Sequence, residues 1–191
     1  MAAKPRVVIA GAGTVGRHIA GLLEEDQYDV VLIDSDGGAL SEVGEQLDVQ
    51  LLQGHAASPR VLEKARIAEA ALMLALTNSD EINLLAAFSA KQMGARKTVA
   101  RARSPWCLDN ALVDFRQRLG IDLVLNPEIL AAVEIIRFLD NPDALALAHF
   151  AHGRVQLRQF ILRPESRFAN TALKDCAIPD GVLVVTPYYN K

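Results

Sequence analysis

The chain has 191 residues, 51% of them hydrophobic, and a formal charge of −3. That is ample apolar material for a core, and without a basic stripe nucleic acid is disfavoured as a partner. Two cysteines, Cys107 and Cys176, lie far apart with no CxxC or Cys/His spacing, which fits reduced cytoplasmic thiols better than a disulfide or zinc framework.

MAAKPR runs straight into the first apolar run and leaves no room for a signal peptide. No apolar run nears the ~20 residues that cross a bilayer, so any membrane role is expected to come through a partner.

Residues 6–10 read as a strand buried on both faces, followed by Gly11-Ala-Gly13-Thr14-Val15-Gly16 and an amphipathic helix. Gly11 suits a tight turn, Gly13 a close backbone approach to a pyrophosphate, and Gly16 close packing of helix on strand. The helix N-terminus, with Thr14 and Val15 in its first turn, offers N–H groups and a positive dipole end. A second apolar run, 30–34, ends on Asp34, close to the offset of about 20 residues expected for an acid that grips a ribose 2′-OH. The same carboxylate repels a 2′-phosphate, which disfavours NADP. Ser35 follows, and Asp36 reads more readily as the N-cap of the next helix than as a ligand contact. Together these residues predict a dinucleotide or adenine-nucleotide site.

Further strands are expected at 49–52, 71–76, 97–102 and 122–125, with helical spacing between them. Such alternation predicts an α/β fold: a doubly wound, six-stranded parallel sheet with its ligand where the strand order reverses. The third strand leads into Gly54-His55-Ala56. Here His55 stacks on or hydrogen-bonds a base, or is a plain surface histidine. The fourth leads into Thr77-Asn78-Ser79-Asp80-Glu81-Ile82-Asn83, where Asn78 and Glu81 have capping-box spacing. After the fifth strand stand Arg101 and Arg103. Arg101 is the better candidate for a phosphate, and salt bridging is the alternative.

Asn126-Pro127-Glu128 is a helix start. The helix 127–139 is apolar around most of its circumference, which suggests cover from a second copy of the chain or from a neighbouring domain. Asn141-Pro142-Asp143 resembles a hinge between a domain at 1–140 and a small α+β subdomain at 141–191. In the latter, hairpin-like β-structure is expected from 144, with a turn at His152-Gly153 and an apolar strand in GVLVVTPYY. The subdomain reads as incomplete, either truncated or half of a longer chain.

There is no P-loop lysine motif, no legible nucleophile with its base, and no metal-ligand spacing. A hydride-transfer enzyme needs a proton donor over its nicotinamide, and none is evident. The expectation is therefore no catalysis.

The segments VVIAGAGTVGRHIA, VVLIDSD, QGHAASPRVLEKARIAEAALMLALTNSDEINLLAAFSAKQMGA, TVARARSP and IDLVLNPEILAAVEIIRFL together resemble one family closely. It is the Rossmann-type RCK/KTN (TrkA-N) domain family of bacterial potassium transport regulators, with most likeness to the TrkA-like subunits of Trk uptake systems. The resemblance covers residues 6–140 almost without gaps. It implies a cytoplasmic regulator that binds NAD(H) or ATP/ADP and assembles with itself and with a potassium-translocating protein at the inner membrane. It further implies that Gly11, Gly13 and Gly16 hold the diphosphate and Asp34 the adenosine ribose, with contacts from Thr77, Asn78 and Arg101. In the family the helix matching 127–139 serves dimerisation and crossover.

Two departures stand out. His55 replaces the acid of the family's Gly-Asp-Ala, which affects the adenine contact, and Thr14 replaces an arginine that some relatives turn to a γ-phosphate. The second leans towards NAD(H). The rival readings are a small NAD-dependent oxidoreductase and the soluble regulatory tail of a potassium efflux antiporter or channel.

Overall fold

The computed structural model describes residues 4–109, 111–140, 144–150, 155–160, 165, 166, 168, 169, 171–176, 178 and 180–185. The turn expected at His152-Gly153 and the hinge at Asn141-Pro142-Asp143 lie outside the described residues. By internal packing the chain divides into two units, 1–133 and 134–191.

The first unit is built on strands β1 (Arg6–Ala10), β2 (Asp29–Asp34), β3 (Gln50–Gln53), β4 (Ala70–Ala75), β5 (Thr98–Arg101) and β6 (Leu123–Leu125). All pair in parallel, in the order β3-β2-β1-β4-β5-β6. This is the doubly wound, Rossmann-like sheet expected, with the reversal of strand order between β1 and β4.

The reason lies in the side-chain period of two. Val7 and Ile9 of β1 join Val30 and Leu32 in one apolar cluster with Ala20, Leu40 and Val43 of the helices. Val8 and Ala10 join Val31, Ile33, Met73 and Ala75 in the other, with Leu62, Leu84, Ala86 and Ala87. Central strands covered on both faces must be apolar throughout, and these are.

The helices are α1 (Thr14–Glu25), α2 (Gly37–Gly44), α3 (Pro59–Lys64), α4 (Asp80–Gln92), α5 (Phe115–Arg118) and α6 (Pro127–Asp140). Asn126 starts α6 as expected, its Oδ1 accepting the Ile129 N–H at 2.9 Å with Pro127 as the first helical residue. The apolar side chains of α6 stay exposed in the single chain, Phe138 and Leu139 by 65% and 68%.

In the second unit, β7 (Ala144–Phe150) and β8 (Val155–Phe160) pair antiparallel, as the change of pattern after residue 143 predicted. One expectation needs correction. Residues 182–185, read as part of an apolar strand, are in no strand, because no described segment offers them a ladder.

Candidate functional site

A cleft of about 580 Å³ opens at the carboxyl ends of β1, β2, β4 and β5. Its floor is the glycine turn. Gly11 has φ +108°, and a Cβ there would lie 2.9 Å from the Leu76 carbonyl carbon, so only glycine fits. Its N–H donates to the Ile33 oxygen at 2.8 Å, and the Leu76 N–H donates to the Ala10 oxygen at 2.8 Å. The turn is thereby fastened to the strand ends on either side. Gly16 is buried behind it, where a Cβ would lie 1.8 Å from the Gly11 oxygen. Gly13 differs: a Cβ there would meet nothing within 4 Å. The protein's own packing does not require this glycine, and the space above it belongs to the cleft.

No side chain caps α1, whose N-cap is Gly13, and its first turn holds no acid. By contrast α2 is capped by Asp36, α4 by Ser79 and α5 by Asp114. The first N–H groups of a helix have no intrahelical acceptor, and at α1 the chain supplies none from a cap. The positive end of α1 is thus available to an anion.

Asp34 stands at the end of β2. Its Oδ2 accepts the Ala12 N–H at 2.6 Å and its Oδ1 the Asp36 N–H at 2.9 Å. The carboxylate is held in place by backbone, and each oxygen keeps a lone pair for a ligand hydroxyl. Asp36 caps α2 through Oδ1, which accepts the Gly38 and Ala39 N–H groups at 2.8 and 3.4 Å. It also lines the cleft, as Ser35 does. Arg17 adds a guanidinium from α1, its Nη1 3.2 Å from Glu42 of α2.

The loop after β3 brings His55 and Ala56 to the cleft. His55 is exposed, and its Nδ1 accepts the Ala57 N–H at 3.3 Å, which leaves Nε2 to carry the ring proton when the ring is neutral.

The far wall is made by the loops after β4 and β5. Thr77, Asn78, Arg101 and Arg103 all line the cleft. The capping box expected from Asn78 and Glu81 does not form. Helix α4 begins one residue later, and Ser79 is its cap, with Oγ accepting the Ile82 N–H at 3.2 Å and donating to Glu81 at 2.8 Å.

Two side chains of the first turn of α4, Asp80 and Asn83, bind this wall together. The sequence places both in the polar run after the fourth strand but assigns neither a role of its own, since such a run at a helix start reads as capping. Asn83 is fully buried. Its Oδ1 accepts from the Thr77 N–H at 2.8 Å and the Thr77 hydroxyl at 2.7 Å. Its Nδ2 donates to the carbonyl oxygens of Thr77 and Arg101, both at 2.9 Å. Asp80 accepts the Arg103 N–H at 3.0 Å on each oxygen and the Ser104 N–H at 2.8 Å. Burial pushes the Asp80 carboxyl up, but these hydrogen bonds outweigh it and hold it below the usual carboxylate value.

Arg101 donates from Nη2 to the Thr77 oxygen, while its Nε is buried with no hydrogen-bond partner. Burial, then the neighbouring charge of Arg103, pulls the guanidinium pKa below its ordinary value, against the opposing pull of Asp80 and Glu128. A buried donor without an acceptor is uncommon and needs an explanation.

The structure thus brings Gly11, Gly13, Thr14, Val15, Asp34, Ser35, His55, Ala56, Thr77, Asn78 and Arg101 to one cleft, with Gly16 supporting the turn from behind. A second cleft of about 600 Å³ lies at the opposite end of the sheet. Four of its charged residues pair within the chain, Arg6 with Asp29 at 2.8 Å and Arg66 with Glu69. Among the described residues no three His, Cys, Asp or Glu side chains gather to hold a metal, and no helix is long and apolar enough to cross a membrane.

Residues 7–127 match the family model of the TrkA-N domain. The Trk system potassium uptake protein TrkA homolog of Archaeoglobus fulgidus is 34% identical over 185 residues. That match takes in 97% of this chain, which spans 42% of the relative's length. Among solved structures, the TrkA-N domain of the inner membrane protein ybaL from Escherichia coli superposes with a TM-score of 0.63 at 18% identity, covering 73% of this chain and 99% of that domain. The GsuK channel bound to NAD superposes with a TM-score of 0.57 at 20% identity, covering 78% of this chain and 26% of that one. Both share the fold.

Proposed function

Because the chain belongs to the TrkA-N domain family, we propose that it is the nucleotide-binding part of a cytoplasmic regulatory subunit that controls a potassium transporter. The proposed ligand is NAD(H), with ATP or ADP as the alternative. The relative from Archaeoglobus fulgidus is named for potassium uptake, and the GsuK channel structure contains NAD, which supports both halves of this reading.

The observation that carries it is Arg101, whose guanidinium has a buried, partnerless Nε and which lines a cleft that also holds the uncapped start of α1. A diphosphate answers both: it accepts from a guanidinium and neutralises a helix N-terminus. Gly11, Gly13, Thr14, Val15 and Gly16 form the diphosphate seat in this reading. Asp34 and Ser35 take the ribose, His55 and Ala56 the adenine, and Thr77, Asn78 and Arg101 the far half of the ligand. Asp34 sets the preference for a free 2′-OH.

The domain is a sensor and performs no catalysis. Residues 1–140 form the nucleotide-binding domain, and 141–191 begin a C-terminal subdomain. The exposed apolar face of α6, residues 127–139, joins two copies of the chain, and a ligand that favours one arrangement of the pair passes that preference to the transporter at the inner membrane. Only a difference in affinity between the two arrangements can do this.

Calorimetric titration with NADH, NAD, ATP, ADP and NADPH tests the reading. It predicts saturable binding of NAD(H) or an adenine nucleotide, with NADPH bound more weakly. Absence of binding by all five overturns it, and steady NADH turnover with a carbonyl substrate favours the oxidoreductase. Light scattering tests the α6 contact, since a monomer at high concentration contradicts it.

A further inference from the structure

The far wall of the cleft owes its shape to one side chain that never reaches the cleft. Asn83 is fully buried and does not line it. A carboxamide has two lone pairs and two N–H groups, and at Asn83 all four are used. Its partners also fix which way round it sits. The Thr77 N–H requires an acceptor and the two carbonyl oxygens require donors, so the oxygen faces Thr77 N–H and the nitrogen faces the carbonyls.

Two consequences follow for the ligand. First, the end of β4 and the end of β5 are held at a set separation, with Asn83 bridging the Thr77 and Arg101 carbonyls. Arg101 closes the same ring from the other side by donating to the Thr77 oxygen. Asp80, three residues earlier on α4, ties the loop after β5 to the helix by accepting the Arg103 and Ser104 N–H groups. Second, the Thr77 hydroxyl has the Asn83 Oδ1 at 2.7 Å and the Ser79 carbonyl oxygen at 3.3 Å, and its proton goes to the nearer, Asn83, while its oxygen accepts weakly from the Ser79 N–H at 3.4 Å. Towards a ligand Thr77 therefore offers an acceptor, while Arg101 beside it offers donors.

Resting on the nucleotide reading above, we propose that Asn83 is a positioning residue: it sets Arg101 to receive a diphosphate and makes Thr77 an acceptor for a hydroxyl beyond that diphosphate. The chemistry recognised at this wall is thus a dinucleotide, an anion followed by a second sugar. AMP engages the glycine turn and Asp34 and gains little from this wall. ADP gains Arg101, and NAD gains both.

The test is calorimetric titration of the 191-residue chain with AMP, ADP and NAD, repeated on Asn83→Asp and Asp80→Asn, with thermal unfolding to report the folded state. A carboxylate at 83 still accepts from Thr77 but turns an oxygen towards two carbonyl oxygens. It is expected to weaken NAD and ADP by tenfold or more and AMP by less than threefold. Asp80→Asn is expected to weaken NAD and ADP by threefold to tenfold with the same sparing of AMP. Equal losses for all three ligands, or unchanged ADP and NAD binding in folded variants, overturn the proposal. If Asn83→Asp does not fold, Asp80→Asn decides by the same split. Failure of the wild-type chain to bind any of the three instead overturns the nucleotide reading itself.

Discussion

Ala12 and Asp34 are joined by a 2.6 Å hydrogen bond from the backbone N–H of the glycine turn to Oδ2 of the acid that ends β2. The glycine turn and the acid that ends β2, the proposed seats of phosphate and ribose, are therefore linked before any ligand arrives. Disturbing either is expected to be felt by the other.

Asp34→Ala tests this. It removes the acceptor of the Ala12 and Asp36 N–H groups, and hydrogen bonds to a charged group contribute about 1.5–3 kcal/mol each. NADH affinity is expected to fall by roughly tenfold or more, with a loss of about 1–3 kcal/mol in folding stability, because the buried Ala12 N–H loses its acceptor while water replaces the bond to the exposed Asp36 N–H. Asp34→Asn, which keeps one acceptor and loses the charge, is expected to narrow the gap between NADH and NADPH. Calorimetry with both cofactors measures it, and a wild-type preference for NADPH contradicts the role given to Asp34.

The glycines make a sharper pair. At Gly16 a Cβ collides with the Gly11 carbonyl oxygen at 1.8 Å, a backbone atom that cannot swing aside. Gly16→Ala is expected to lower stability by about 3 kcal/mol, at the upper end of overpacking costs. At Gly13 the Cβ meets open space, and φ is an ordinary −73°. Gly13→Ala is expected to change stability by no more than about 0.5 kcal/mol, the range of a surface substitution, yet to weaken a diphosphate ligand that needs close backbone approach. Urea unfolding and ligand titration on the same two variants separate the effects. A stable Gly16→Ala protein contradicts the packing argument.

What the sequence makes legible is what depends on local pattern. The six strands follow from apolar runs with turn residues between them, and Asp34, Asp36 and Asn126 follow from their places at strand and helix ends. All the cleft residues expected from motifs reach the cleft, apart from Gly16, which supports the turn. Asp80 and Asn83 fall within the run expected at the crevice, but their roles are not legible because their partners, Arg101, Arg103 and Ser104, lie on the next strand and loop. Nothing in the local sequence separates a polar side chain that caps its own helix from one that reaches across to a neighbour. The Asn78–Glu81 spacing misleads for a related reason. Several polar residues in a row offer several cap positions, and tertiary contacts choose Ser79. Arg17 was passed over because it follows the last glycine of the motif, where the pattern assigns no role, although it faces the cleft beside Asp36 and Ala39.

Acid stability should carry the signature of Asp80. Its folded-state pKa lies below its usual value, so its contribution is present above the unfolded pKa, near 3.9, and is lost as pH falls through the folded value. Asp122, held low first by its hydrogen bond from Lys91 and then by Thr98, contributes in the same direction. Between pH 7 and pH 3, urea unfolding of the wild-type chain should lose more stability than that of Asp80→Asn, which has no carboxyl at 80 to protonate. Equal losses contradict the pairing of Asp80 with the loop after β5.

The two thiols should differ in reactivity. Cys107 is buried, and burial, followed by the negative charges of Asp80 and Glu81, pushes its thiol up to about 11. At pH 7.5 almost none of it is thiolate, the reactive form. Cys176 is partly exposed. A thiol-specific alkylating reagent on the native chain is expected to label Cys176 and spare Cys107, and to label both in denaturant. Rapid native labelling at Cys107 contradicts the closed packing beneath the loop after β5.

Arg101→Met should move stability and binding in opposite directions. The guanidinium is half-buried, its Nε has no partner, and burial already disfavours its charge. Methionine fills a similar volume without a donor to satisfy. Nor does its loss orphan the Thr77 carbonyl, which keeps the Asn83 Nδ2 donor at 2.9 Å. Removing an unsatisfied polar group in this way is expected to leave stability unchanged or raise it by about 1 kcal/mol, the lower bound for leaving a buried donor unpaired. The affinity for a diphosphate ligand is expected to fall by roughly tenfold to a hundredfold, because charge-assisted bonds to phosphate are about twice as strong as neutral ones. Thermal unfolding without ligand and calorimetry with NAD read the two effects separately. A variant that is less stable but binds NAD as before shows that the guanidinium serves the fold, and removes Arg101 from the site.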